Sequence, residues 1–98
     1  MEGIDLIETS GHVPGHQSVL INLPNTGKVL LAIDAIPAPY LTDADTRLIM
    51  PTDMDEAGVR QSTKKLMDIV KSQNISIIVH GHDMEQWHTL KHAPLYYN

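Results

Sequence analysis

The sequence predicts an α/β fold, and three observations lead there. Four short aliphatic and β-branched stretches are separated by Gly, Pro and Asn turns. One long stretch repeats its apolar residues at helical spacing. The resulting order of strand, hairpin, loop, helix, strand, helix is that of an α/β domain.

Taken in order, Ile4-Asp5-Leu6-Ile7-Glu8-Thr9 reads as a strand stopped by Ser10-Gly11. Val19–Leu23 and Lys28–Ile33 read as a hairpin, with Gly27 in the Pro24-Asn25-Thr26-Gly27 turn free to take a positive φ. Residues 35–53 hold Pro37, Pro39 and Pro51 and read as an irregular stretch long enough to be a functional loop. A helix should run from about Asp55 to Ser72, with Asp53 as N-cap and Glu56 completing a capping box. Val59, Thr63, Leu66, Met67 and Val70 would share its inner face, and Arg60, Lys64, Lys65 and Lys71 its wet side. Ile75–Val79 reads as a fourth strand, apolar enough to be central, and Met84–Lys91 as a last helix closed by Pro94. The methionines read as gap-filling packing.

Composition narrows the function classes. Ninety-eight residues make one domain, residues 1–98, or a piece of one. The absence of Cys excludes thiolate catalysis, disulfides and Cys-based zinc fingers. Twelve acidic against seven basic residues, a net charge of −5, argue against nucleic acid as a partner. The longest apolar run, Val29–Ile33, is far short of the roughly 18–20 residues that span a bilayer, so no membrane partner is expected. With no basic leader visible, the expected location is the cytoplasm. Six histidines without a cysteine mean that any transition-metal site would use imidazole and carboxylate.

Three polar residues stand where strands end: His12 after the first, Asp34 after the third, His82 after the fourth. Ligands gather at such positions in α/β folds because loops converge there without disturbing the sheet. Two imidazoles and a carboxylate make a partial zinc shell. The plainer reading is that polar residues follow strands because loops are polar. His80 reads as a packed strand-end residue, and His88 and His92 as solvated, though each pair with its neighbour could chelate.

Gly11-His12-Val13-Pro14-Gly15-His16-Gln17-Ser18 resembles the G-H-x-P-G-H-x-S segment of the metallo-β-lactamase superfamily, and most closely that of its N-acyl homoserine lactonases. Ile33-Asp34-Ala35 is similar to the I-D-A that ends a strand there, and Gly81-His82-Asp83 with Met84-Glu85-Gln86 to a late G-H-D segment. The resemblance implies that His12 binds one zinc ion and His82 another, with Asp34 bridging the two. His16 and Asp83 would orient these ligands from outside. Water activated by the metal pair would attack the carbonyl of a small-molecule lactone or ester, such as an N-acyl homoserine lactone.

The superfamily's H-x-H-x-D-H segment has no counterpart here. The chain therefore reads as the C-terminal half of an αβ/βα sandwich, a sheet with helices on one face, lacking the N-terminal half. The lactonases carry Tyr three residues after the bridging Asp. Pro37 stands at that position and Tyr40 three residues beyond. Two functions follow: part of a metal-dependent, lactonase-like hydrolase of the quorum-quenching type, or a non-catalytic remnant serving as a subunit or interaction module. The expected partner is the missing half or a second copy in a homodimer, because half a sandwich leaves one apolar sheet face bare.

Overall fold

A computed structural model, which describes residues 2–98, shows a four-stranded sheet of order β1-β2-β3-β4. The strands are β1 (Ile4–Glu8), β2 (Gln17–Leu23), β3 (Gly27–Ile33) and β4 (Ile77–His80). β1, β2 and β3 pair antiparallel, whereas β4 lies parallel to β3. A parallel neighbour needs a long crossover, and helix α1 (Glu56–Ser72) supplies it. A second helix, α2 (Met84–Thr89), is six residues long and ends short of Lys91 because Leu90 turns extended. Contrary to the expected central place, β4 is an edge strand.

Alternation along the strands gives the sheet two apolar faces. On the first, Leu20, Leu30 and Ile78 stand side by side across β2, β3 and β4. They pack with Leu66 of α1 and with Ile36 and Leu41 of the long loop in one core. Val59, Thr63 and Leu66 are buried, so the expected inner face of α1 is the one that docks; Ser62 joins them. Across the second face run two apolar rows: Ile4, Ile21, Val29 and Ile77, and beside it Leu6, Val19, Leu31 and Val79. Trp87 and Leu90 of the α2 segment, with Tyr97, border a cleft against the β3–β4 end of this face. Toward β1 it is bare, and Leu6 is 64% exposed.

Two local features differ from expectation. Asp55, not Asp53, is the N-cap residue of α1, and its side chain makes no capping bond. Glu56 reaches forward to Arg60 at 3.6 Å instead of closing a capping box. At the outer edge of β4, the Gln86 side chain accepts the His80 N–H at 2.9 Å and donates its amide to the Ile78 carbonyl. Among the described residues no helix is long and apolar enough to cross a membrane.

Candidate metal centre

Three loops meet at one end of the sheet. The His12 loop, between β1 and β2, is tied to the start of α1: the Gly11 and His12 carbonyls accept the Asp55 and Met54 N–H groups, and Ser62 Oγ donates to the Ser10 carbonyl. So close an approach demands glycine. Gly11 has φ +146°, and a Cβ there would lie 2.3 Å from Val59 N. Asp34 follows Ile33, whose φ of +56° is uncommon for a β-branched residue and re-aims the chain where β3 ends. The Gly81 N–H donates to the Ile33 carbonyl, and a Cβ at Gly81 would meet that oxygen at 2.6 Å. This contact brings the next residue, His82, beside Asp34, and the His82 N–H is secured by the Pro37 carbonyl.

The side chains converge on Asp34. His82 Nε2 lies 2.8 Å from Asp34 Oδ1, and His12 Nε2 lies 3.7 Å from Asp34 Oδ2. One carboxylate thus has a different imidazole on each oxygen. These residues, with Pro37, Asp53 and the exposed Tyr40, border a cavity of about 250 Å3.

His16 does not face this cavity as a ligand; it supports Asp34 from behind. Its Nε2 accepts the Asp34 N–H at 3.3 Å, which leaves the proton on Nδ1 to be donated to Thr9 Oγ1 at 2.8 Å. Thr9 can then donate to Ser18 Oγ, and Ser18 to the Ala32 carbonyl. Every member of the chain is satisfied in one direction, and that direction requires a neutral imidazole. Burial, opposed by the charge of Asp34, lowers the His16 pKa below its usual value. Asp83 is placed otherwise: its carboxylate accepts the Gln86 N–H and caps α2.

Two residues passed over as functional in the sequence belong here. Asp53 is turned to His12, whose Nδ1–H donates to its Oδ1 at 2.8 Å, while Oδ2 accepts the Met50 N–H. Arg47, fully buried, lies behind Asp53. The available signals were weak: Asp53 mimicked a cap, and Arg47 is simply the one basic residue in a loop whose other charges are acidic. The remaining histidines lie elsewhere. His80 Nδ1 donates to the Ile36 carbonyl, and His92 stacks on Trp87 with ring centroids 4.4 Å apart.

The donor chemistry fits a cation in part. With its Nδ1 proton committed to Asp53, a neutral His12 turns an unprotonated Nε2 toward Asp34 Oδ2. Two lone-pair donors face each other at 3.7 Å, too far apart for a hydrogen bond, a placement that a cation between them would stabilise. Among the described residues, however, no three His, Asp or Glu side chains are grouped to hold one ion. The groups present offer one imidazole beside each oxygen of Asp34.

No family model matches the chain. Individual proteins do. An N-acyl homoserine lactonase from a Bacillus species is 36% identical over 94 residues, covering 96% of this chain and 36% of the relative. The N-acyl homoserine lactonase AttM of Rhizobium radiobacter is 35% identical over 92 residues, covering 93% of this chain and 34% of AttM. Among solved structures, an N-acyl homoserine lactone hydrolase with its product N-hexanoyl-L-homoserine bound at the catalytic metal centre superposes with a TM-score of 0.87 at 34% identity, over 99% of this chain and 37% of that one. The hydrolase AbOPH of the beta lactamase superfamily, at 22% identity, shares the fold with a TM-score of 0.62 over 82% of this chain and 28% of its own. The chain spans about a third of the length of the curated relatives it matches.

Proposed function

Because this chain is a homologue of the N-acyl homoserine lactonases and has the fold of a metallo-β-lactamase segment, we propose that it is the C-terminal part of a metal-dependent hydrolase that opens a lactone or related ester, N-acyl homoserine lactones foremost. The observation that carries this reading is the Asp34 carboxylate with His82 on one oxygen and His12 on the other. His12 would hold one zinc ion, His82 a second, and Asp34 both. When bound, such a pair would supply Lewis acidity toward the carbonyl and would lower the pKa of water at the site.

The chain's own residues do the rest. Asp34 sets the spacing of the two positions, and Asp53 orients His12 by taking its Nδ1 proton. The His16 network fixes the backbone at Asp34. Tyr40, at the cavity rim and three residues beyond Pro37, which stands where the lactonases carry Tyr, can approach a bound ester as a hydrogen-bond donor.

Each zinc position would still need ligands from outside the described set, because structural and catalytic zinc usually takes three or four protein groups. The bare face of the sheet has the same need. Hiding several hundred Å2 of it is worth on the order of ten kcal/mol. The partner we propose is therefore one that covers this face: the remainder of a lactonase-like fold, or failing that a second copy in a two-fold dimer. Sedimentation of the pure chain at micromolar concentration tests the need for cover. Self-association is expected, and a cooperatively melting monomer would show that the face needs no partner.

The alternative, a non-catalytic interaction module, is favoured by the lack of three convergent ligands among the described residues. A lactone-opening assay separates the two. The chain alone with excess zinc should open N-hexanoyl homoserine lactone no faster than zinc in buffer, and addition of the complementary part of a lactonase should restore turnover. Failure of every such combination, with both parts folded, would leave the interaction module standing.

A further inference from the structure

We infer that Arg47 is a positioning residue that holds the two sides of the His12–Asp34 pair at a fixed distance, acting on one side through Asp53 and on the other through the backbone beside Asp34. The inference rests on the proposed function only in taking His12 Nε2 as the ligating atom.

Arg47 lies in the long loop, remote from His12 in sequence, and its side chain is wholly buried. Its Nη1 donates to the Ala35 carbonyl at 2.7 Å and to Thr63 Oγ1 at 2.9 Å. Nε donates to the Leu48 carbonyl at 3.1 Å. Nη2 alone has no hydrogen-bond partner, and it stands 3.9 Å from Asp53 Oδ2. One planar guanidinium therefore grips the residue after Asp34 and faces the carboxylate that orients His12.

Burial makes this arrangement demanding. The Asp53 side chain is 1% exposed, and a carboxylate so enclosed is costly without an opposite charge. Arg47 is the cation within reach. A lysine could supply the charge but not the fork that reaches Ala35 and Asp53 together. Between them, Asp53 and Arg47 would set both the tautomer of His12 and its distance from Asp34. Arg47 touches neither substrate nor metal in this scheme.

The imidazole tautomer is a readout that a merely structural role would not move. Nitrogen-15 shifts of His12, taken on the full chain at a pH where the ring is neutral, should show the Nδ1–H form in the wild type. Arg47→Gln removes the charge but keeps a donor for Ala35. It should give a mixture with the Nε2–H form, while Arg47→Lys should restore Nδ1–H. A wild-type ring protonated on Nε2, or an unchanged tautomer in a folded Arg47→Gln chain, would overturn the proposal.

Should Arg47→Gln prove unfolded by circular dichroism, Arg47→Lys carries the test with zinc alone as the probe. The loss of the fork should weaken zinc binding, followed by the His12 and His82 ring signals, by about 10-fold. Unchanged zinc affinity in that variant would overturn the proposal as well. Neither readout requires hydrolysis, so their failure is separable from failure of the lactonase reading.

Discussion

The two sides of the candidate centre are built differently. His12 has 21% of its side chain exposed, sits on a loop fastened to α1, and is backed by Asp53 and then Arg47. His82 has 73% exposed, and its ring is hydrogen-bonded to Asp34 and otherwise faces outward. One side is organised by the chain itself. The other presents an exposed imidazole held by Asp34 alone, and the comparison teaches which side of the proposed site a partner would complete. The same gradient runs through the sheet: its first face is sealed by α1 and the loop, its second is covered only near β4.

The largest effect should come from the residue common to both sides. In the complete two-metal hydrolase proposed above, Asp34→Ala is expected to release both metals, whereas His12→Ala and His82→Ala should each retain about one. Metal analysis of the three variants checks this, and equal metal content would contradict the bridging role of Asp34.

Stability separates the two histidines without any metal. His12→Ala strands the buried Asp53 carboxylate without its donor and should cost about 1–3 kcal/mol. His82→Ala removes an exposed ring and should stay within about 0.5 kcal/mol of the parent. Urea unfolding of both variants reads the difference, and comparable losses would mean the two sides are equally well organised.

A smaller effect is expected from His16, through pH. Its folded-state pKa lies below the ordinary 6.5, so below that value the unfolded chain binds the proton more readily than the folded one. The stability contributed by neutral His16 is therefore complete above pH 6.5 and is lost as pH falls toward the folded-state pKa. The advantage of the wild type over His16→Gln should shrink between pH 7.5 and pH 5. A gap that holds or widens on acidification would show that the network accepts a charged imidazole.

How much of this was legible depended on the range of the interaction. The four strands, the hairpin and α1 follow from local alternation and helical periodicity, and the structure moves their ends by a residue or two. β2 begins at Gln17 because Gln17 pairs with Glu8, a contact that Gln17 itself does not announce. His12, Asp34 and His82 were legible as residues that follow strands, and their motifs carried the family resemblance. The positive φ of Ile33 was not legible, since β-branched residues avoid that region and only the pull of the Gly81 contact reveals it. Asp53 was misread because an acidic residue three before Glu56 satisfies the capping-box pattern, and only the fold shows it turned toward a histidine 41 residues away. Arg47 has no local signature at all. Apart from the neighbouring Leu48 carbonyl, its partners come from the end of β3, the middle of α1 and the far side of its own loop.

Gln86 bears on how this chain can meet others. By accepting from His80 and donating to Ile78, its amide occupies groups on the outer edge of β4 that a foreign strand would otherwise pair with. At the opposite edge β1 is only five residues long and carries Asp5 and Glu8, which discourage strand addition by brevity and charge. An apolar sheet with open edges would be a template for fibrils. With both edges blunted, lateral growth is disfavoured while stacking is not, so assembly should be finite and face to face, and overproduced chain should gather as small oligomers before it forms cross-β aggregates.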